Sequence, residues 1–247
     1  MVALPPKQLR LLPYSLQSGA MQMATDSVLL SGLAAGLSPP SLRFYGWSKP
    51  TLSVGYHQKQ VWPDLEVVRR PSGGRAVWHE GDLTYALTLP LPQGSVAKVY
   101  TQLCTFLIEG FKKLDIFLAF GTAGRGYIHN PSCFGTATGA DLVWQGRKLI
   151  GSAQVRRGKA LLQHGSILIQ PNPQKLAALF PELPNPAVVG LAEIQPTLLI
   201  ETVMTVLGQT CGQMLGLPLE SGFLTPWEID KLDEFKTVGQ NRKTLDP

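Results

Sequence analysis

The sequence predicts an α+β fold, a mixed β-sheet with helices packed on it, and three observations carry that prediction. Residues 82–89 alternate Leu83, Tyr85, Leu87 and Leu89 with Thr84, Ala86 and Thr88, the period of two of a strand. Residues 95–114 place Val96, Val99, Leu103, Phe106, Leu107, Phe111 and Leu114 on one helical stripe, with Ser95 as its cap. No internal repeat, low-complexity segment or linker divides the chain. Residues 1–247 therefore read as one domain, with a core over about 9–217 and a terminal helix and tail over about 225–247.

Bulk composition narrows the function classes. With 247 residues, 44% hydrophobic and only 16% charged, the chain can bury a large core and is not disordered. Its 22 basic and 17 acidic residues leave a net charge of +5. No Lys/Arg block marks a nucleic-acid binder, and the mild excess suits an acidic protein partner. Cys104, Cys133 and Cys211 are odd in number and lack CxxC spacing, so neither a disulfide framework nor a metal site is expected. A reducing cytoplasm fits them best. The first ten residues carry no apolar leader, and no stretch is long enough to span a bilayer.

In chain order, residues 9–14 read as a short strand. Residues 18–36 read as a helix, with Met23, Val28, Leu30 and Leu33 at helical spacing and Pro39-Pro40 to end it. Residues 42–47 and 51–56 read as two strands joined by a turn at Ser48-Lys49-Pro50. An apolar run at 65–68 leads through a Ser-Gly-Gly turn to the strand at 82–89. After the helix at 95–114 comes a strand at 115–120, then a Gly/Thr/Ala-rich loop over 121–139. Residues 141–144 and 148–154 form a hairpin pattern turned at Gln145-Gly146-Arg147, and 160–170 another strand. Helical patterns follow over 174–180 and about 196–215, with a proline-rich connector between them. Thr225 can cap a last helix to about Phe235.

The chemistry concentrates in two stretches. In Arg69-Arg70-Pro71-Ser72-Gly73-Gly74-Arg75, adjacent glycines let the backbone approach a ligand, and their N–H groups can cradle an anion or a polarised carbonyl. Arg70 and Arg75 add planar donor forks, and His79 follows closely. Downstream, Cys133 lies in Asn130-Pro131-Ser132-Cys133-Phe134-Gly135, on a loop rather than on an apolar face. A thiol with pKa ~8.5 is only a few per cent thiolate near neutral pH, so a nearby cation would matter. Lys148, in the hairpin after the loop, is a candidate, although a lone lysine after Gly-Arg more often reads as a solvated turn residue. Cys104 and Cys211 fall on helical patterns and read as small buried hydrophobes. A Cys–His pair through His79 or His164 is conceivable, although a hydrogen-bonded structural role suits each histidine better. There is no GxSxG elbow around Ser72, no GxxxxGK[ST] loop and no GxGxxG.

Four ordered motifs resemble the lipoate–protein ligase and octanoyltransferase family, within the biotin/lipoate protein ligase superfamily. The first is residues 69–85, from Arg69-Arg70-Pro71-Ser72-Gly73-Gly74-Arg75 to Gly81-Asp82-Leu83-Thr84-Tyr85. The others are Gly19-Ala20-Met21-Gln22-Met23-Ala24-Thr25-Asp26, the paired strands from Leu42 to Trp47 and from Thr51 to Tyr56, and Gly146-Arg147-Lys148 through Gly151-Ser152-Ala153-Gln154 to Gln163-His164-Gly165-Ser166. The resemblance covers about residues 9–170 and implies the catalytic-domain fold of that superfamily.

Within that family, ATP-dependent ligases usually carry a third glycine where this chain has Arg75, and often an accessory C-terminal domain. Cysteine-type octanoyltransferases commonly carry arginine there, with a Cys-Phe pair upstream of Gly-Arg-Lys. Cys133-Phe134 and Gly146-Arg147-Lys148 match the second pattern. The resemblance thus implies transfer of octanoyl from an acyl carrier protein to a lysine of a lipoyl domain, either of a 2-oxoacid dehydrogenase E2 subunit or of the glycine cleavage H protein. Cys133 would be the nucleophile and Lys148 its cationic partner. Arg70, Ser72, Gly73, Gly74, Arg75, His79, Gly151 and Ser152 would bind substrate, with no cofactor, no metal, no nucleic acid and no membrane. An ATP-dependent lipoate ligase, an octanoyl or lipoyl amidotransferase, and a non-catalytic binder of lipoyl domains stay open as alternatives.

Overall fold

Two long antiparallel strands, residues 82–90 and 160–168, form the spine of the protein, and their two faces decide where everything else packs. In the computed structural model, residues 7–59, 62, 64–121, 141–181 and 187–242 are described, with side chains as far as residue 235. Cys133, nearly all of the glycine-rich stretch, residues 182–186 of the proline-rich connector and residues 243–247 lie outside the described residues.

The strands are β1 (Leu9–Leu11), β2 (Ser15–Gln17), β3 (Ser41–Trp47), β4 (Thr51–Val54), β5 (Val67–Arg69), β6 (Val77–His79), β7 (Asp82–Pro90), β8 (Ala119–Phe120), β9 (Leu142–Trp144), β10 (Arg147–Arg157), β11 (Ala160–Leu168) and β12 (Leu219–Ser221). The helices are α1 (Gly19–Ala35), α2 (Val96–Lys112), α3 (Pro173–Leu179), α4 (Leu191–Ile194), α5 (Ile200–Leu215) and α6 (Pro226–Arg242). A nine-stranded mixed sheet runs β12-β1-β3-β7-β11-β10-β9-β8, with β2 beside β3, and a three-stranded sheet runs β5-β4-β6. The expected α+β class and mixed sheet are therefore what forms.

Alternation along the spine separates two cores. Tyr85, Leu87, Leu161 and Ile167 face α2 and α5, where they join Val99, Leu103, Phe106, Leu107, Val203 and Leu207. Ala86, Ala160 and Leu162 face α1 and meet Met23, Leu30 and Tyr45. α2 follows its predicted stripe except at Val96, which is 58% exposed in the first turn. Cys104 and Cys211 are buried on these helices, as their spacing predicts. Burial pushes the Cys104 thiol up to about 12 and raises Cys211 as well, so neither offers a thiolate near neutral pH.

Several boundaries differ from the sequence expectation, each for a local reason. α1 keeps its expected bounds, from the Ser18 cap to Gly36, but what stops it is Gly36 in the left-handed region, whose N–H reaches Gly32 O and Leu33 O, rather than the prolines. β3 and β4 are consecutive but not paired: β3 pairs with β7, while β4 leaves for the smaller sheet. The strand expected over 115–120 shrinks to Ala119–Phe120, with Asp115 in a left-handed turn. The long helix expected from about 196 begins at Ile200, after the short α4. β2 and β12 carry no periodic pattern of their own and exist by pairing with β3 and β1. α6 continues to Arg242, beyond the expected end near Phe235.

The β12–α6 segment closes on the sheet through one buried ion pair. Arg10 of β1 donates Nη1 and Nη2 to Glu228 Oε2 and Oε1 at 2.9 and 2.7 Å, and Nη1 also to Phe223 O at 2.9 Å. Glu228 and Thr225 complete a capping box, with Thr225 N–H to Glu228 Oε2 at 2.7 Å and Glu228 N–H to Thr225 Oγ1 at 3.3 Å. Burial alone would raise the Glu228 carboxyl, yet the hydrogen bonds from Arg10 and the Thr225 N–H outweigh it and hold the group below its usual value. Its stabilising effect is then complete above the ordinary carboxylate range and is lost as pH falls through the depressed folded value. Glu228→Ala should cost about 3 kcal/mol in urea denaturation, since it strands a buried guanidinium. Glu228→Gln should show a shallower loss of stability in acid than the parent protein.

Candidate active site

Between the α1 face of the large sheet and the three-stranded sheet lies a cleft lined by residues of both. Met23, Tyr45, Trp47, Val77 and Ala153 supply apolar wall, while Ser53, Arg70, His79, Thr84, His164 and Ser166 supply the polar groups. Of the residues predicted from sequence, Arg70, Gly74, His79, Gly151 and Ser152 line it. Ser72 and Lys148 are buried beside those residues at 0% and 1% exposure, and Gly73 and Arg75 complete the same turn.

The turn is built from the inside. Arg70 donates Nη1 to Ser53 O at 2.6 Å and to Ser53 Oγ at 2.7 Å, and Nη2 to Arg75 O at 2.7 Å. Its guanidinium thus holds the turn's own carbonyls as well as facing the cleft. Gly74 takes φ +91°, and a side chain at Gly55 would overlap the Gly74 carbonyl oxygen. Those two positions are why the turn can close against β4.

His79 is fixed at both nitrogens. Asp82 Oδ2 lies 2.8 Å from Nδ1 and Ser53 Oγ 2.7 Å from Nε2. Because a carboxylate only accepts, Nδ1 carries the hydrogen. Nε2 of the neutral ring then accepts from Ser53, whose oxygen in turn accepts from Arg70. The Trp47 ring stacks on the imidazole at 3.8 Å with 17° between planes, and Trp47 Nε1 donates to Thr84 Oγ1 at 2.9 Å. Burial holds His79 below its usual range; Asp82 opposes that, and the Arg70 charge adds to it.

A second serine–histidine–aspartate chain crosses the same cleft. Asp26 Oδ2 lies 2.9 Å from His164 Nδ1, and His164 Nε2 lies 2.6 Å from Ser72 Oγ. Asp26, fully buried on α1, also accepts from Arg43 Nη1 at 3.0 Å and Tyr45 OH at 3.1 Å. The Arg43 guanidinium bonds in turn to Gln22 Oε1, one turn before Asp26 on α1. Asp26 and His164 do not appear among the site residues expected from sequence. The available signal was a helical register that puts Gln22 and Asp26, four residues apart, on a side that must be buried.

Lys148 lies at an irregular point of β10, next to the cleft-lining Gly151. The pairing with β9 shifts between Lys148 and Ile150, and Leu149 and Ile150 both enter the core. The Lys148 backbone is held by Ala187 O and the Val189 N–H at 2.8 and 3.0 Å. The ammonium meets Asp141 Oδ1 at 2.7 Å, both side chains buried. A Cβ on Gly151 would stand 3.0 Å from Lys148 Nζ, so the glycine leaves room for the ammonium at the cleft wall.

With this geometry in place, comparison with known proteins identifies the lineage. Residues 18–211 match the family model described as lipoyl protein ligase A/B catalytic domain. The chain belongs to that family. Among relatives of the lipoyl protein ligase A/B family, it is 34% identical over 259 residues to octanoyltransferase LipM of Kyrpidia tusciae, covering 91% of this chain and 93% of that one. It is 42% identical over 172 residues to octanoyltransferase LipM of Carboxydothermus hydrogenoformans, 64% of each chain. In fold it superposes on a lipoate-protein ligase A crystallised with ATP, with a TM-score of 0.81, 21% identity and coverage of 93% and 94%. A putative lipoate protein ligase from T. acidophilum with bound lipoic acid gives a TM-score of 0.79 at 20% identity, covering 94% of this chain and 95% of that one. The catalytic-domain fold expected from the four motifs is thus observed, in its lipoate-protein ligase form. No helix among the described residues is long and apolar enough to cross a membrane.

The His79 network makes a testable statement about pH. Its folded pKa is depressed, so the stability gained from a neutral ring is complete above the unfolded value of about 6.5 and is lost as pH falls through the folded value. Urea midpoints at about pH 7.5 and about pH 5.5 should therefore converge in His79→Gln relative to the parent protein.

Proposed function

We propose that this protein transfers an octanoyl group from an acyl carrier protein to a lysine of a lipoyl-accepting domain through an acyl-enzyme on Cys133. The observation that supports the reading is the buried Lys148 ammonium, which lies next to Gly151, a residue that lines the cleft. Kinship with the LipM octanoyltransferases supports the choice of acyl group.

The chemistry follows from that arrangement. Cys133 attacks the thioester carbonyl, the carrier's thiol leaves, and the octanoyl group rests on sulfur. A cation near the thiol favours the thiolate, and the same charge stabilises oxygen as the carbonyl becomes tetrahedral. Asp141 fixes the ammonium in one place, which is what pre-organised stabilisation requires. The Ser72–Arg75 turn, Gly151 and Ser152 shape the space around the carbonyl, His79 lines it, and the alkyl chain takes the apolar wall. The acceptor lysine then attacks, forming the amide and freeing Cys133. The thioester arrives activated, so no nucleotide is consumed. The acceptor is a lipoyl domain of a 2-oxoacid dehydrogenase E2 subunit or a glycine cleavage H protein. A T. acidophilum ligase of the same fold has been studied with its E2 lipoyl domain. The net charge of +5 favours acidic partners on both sides of the reaction. Such a reaction belongs in the cytoplasm, where carrier and acceptor meet.

The deciding measurement is intact-protein mass after mixing with octanoyl-carrier protein without ATP. A hydroxylamine-labile octanoyl adduct is expected on the parent protein and not on Cys133→Ala. Lys148→Ala should slow adduct formation by about 100-fold or more, the scale of losing one pre-organised charge. Absence of the adduct, with activity appearing only with free acid and ATP, would replace this reading with a ligase. Acceptor binding without turnover, indifferent to Cys133→Ala, would replace it with a binding protein.

A further inference from the structure

One end of the large sheet carries positive charge that no carboxylate among the described residues answers. The β10–β11 turn places Arg156, Arg157 and Lys159 there, and the first turn of α2 adds Lys98. The Lys159 carbonyl accepts from the Leu91 N–H at 2.8 Å, and Arg156 Nη1 reaches Gly94 O at 3.5 Å. A Cβ on Gly94 would in turn stand 3.6 Å from Lys98 Cδ, so the turn and the helix start share one surface. Arg157 leans the other way, donating Nη1 to Ser31 Oγ of α1 at 2.6 Å. Arg10, Arg43, Arg147 and Lys231 each meet a carboxylate, whereas none of these four cations does among the described residues. Composition explains the contrast. Residues 27–40, 83–108 and 142–168, the segments that meet at this end, contain no Asp or Glu. Lys98, Arg157 and Lys159 are exposed, and Val96, 58% exposed, adds an apolar spot in the same helical turn as Lys98. Arg156 lies deeper, its Nε and Nη2 without a hydrogen-bond partner, and contributes field rather than contact.

This patch is joined to the cleft along one strand. β10 pairs with β9 only as far as Ile150, so from Gly151 to Arg157 its outer edge is unpaired among the described residues. Gly151, Ser152 and Ala153 line the cleft at one end of that edge. Arg157 stands at the other, about 13 Å beyond Ala153 at roughly 3.3 Å per residue. That distance sorts the two protein partners. An acceptor lysine has only a four-carbon stem, so a lipoyl domain must sit at the cleft mouth itself. A carrier holds its thioester on a far longer prosthetic arm, and its body docks away from the cleft.

We propose that the surface formed by Lys98, Arg157 and Lys159, with Val96 beside them, is the docking face for the acidic acyl carrier protein. The outer edge of β10 is then the track along which the carrier's arm reaches the cleft. The inference rests on the carrier-dependent reading above. Unpaired surface cations steer an acidic partner, and salt screens that attraction.

The test is the triple variant Lys98→Glu/Arg157→Glu/Lys159→Glu. All three side chains are exposed, and Lys98→Glu supplies the carboxylate that completes a capping box with Ser95, which favours α2. Binding of unacylated holo-carrier protein is followed by fluorescence anisotropy. Acylation is followed by intact mass, with octanoyl-carrier protein and with octanoyl-N-acetylcysteamine, a thioester that lacks the carrier body. At low ionic strength the variant should bind carrier about 10-fold more weakly and be acylated by limiting octanoyl-carrier protein more slowly by a similar factor. Its rate with the small thioester, and transfer from isolated octanoyl-enzyme to a lipoyl domain, should match the parent protein. Added salt should weaken carrier binding to the parent steeply and to the variant little. Unchanged carrier binding in the variant would overturn the docking face. So would a loss confined to the lipoyl-domain step, which would assign the surface to the acceptor. Weaker carrier binding in the variant, with no octanoyl adduct on the parent from either thioester, would overturn the acyl-cysteine reading and leave the docking face standing.

Discussion

The buried carboxylate of Asp26 is the constraint on which the cleft depends. A carboxylate removed from water is costly unless charges and donors surround it, and here they come from two separate strands. Arg43 and Tyr45 reach it from β3, and His164 from β11. Through His164 the constraint extends to Ser72, so one charge on α1 fixes a helix, two strands and the glycine turn against one another. Arg43 adds a further tie by lying over the Tyr45 ring, 4.1 Å from its centroid. Loss of any one donor would leave the carboxylate underpaired, and around this polar cluster the same side of the sheet is apolar, at Met23, Leu30, Ala160 and Leu162.

The smaller sheet depends on a comparable arrangement of opposite sign. Arg70 is the buried cation, and its partners are mostly neutral oxygens: two on Ser53 and the carbonyls of Gly73 and Arg75. Because Ser53 also serves His79, the position of the glycine turn and the tautomer of the histidine are set by the same hydroxyl. The two networks approach closely enough that a charge on His164 disfavours one on His79. The cleft thus brings two imidazoles and the Arg70 guanidinium to one place, with the carboxylates of Asp82 and Asp26 behind the two histidines.

Most of the regular fold was legible in the sequence because its signals are local. The alternation at 82–89 and the stripe from Val99 to Phe111 correspond directly to β7 and α2. The Gln145-Gly146 turn, with both residues at positive φ, is what a two-residue hairpin demands. What escaped was non-local. β2 and β12 exist only as edge partners, and the separation of β4 from β3 is decided by β5 and β6 arriving from elsewhere. The glycine turn announced itself through composition, yet the inward course of Arg70 did not, because carbonyl partners leave no mark in side-chain identity. Asp26 and His164 lie 138 positions apart, and only folding brings them to 2.9 Å.

Lys148 shows how a local irregularity can serve a site. In an unbroken strand, positions 148 and 150 would share a face, and Ile150 faces the α2 core. The register shift between them breaks that parity and brings the ammonium within reach of the space that Gly151 leaves empty. Straightening the strand would force either a charge into the core or Ile150 out of it. The irregularity is therefore coupled to both stability and placement, and Asp141, at the foot of β9, pairs the buried charge. Gly151 belongs to the same solution: a side chain there would crowd the end of Lys148, with a Cβ 2.9 Å from Cε and 3.0 Å from Nζ.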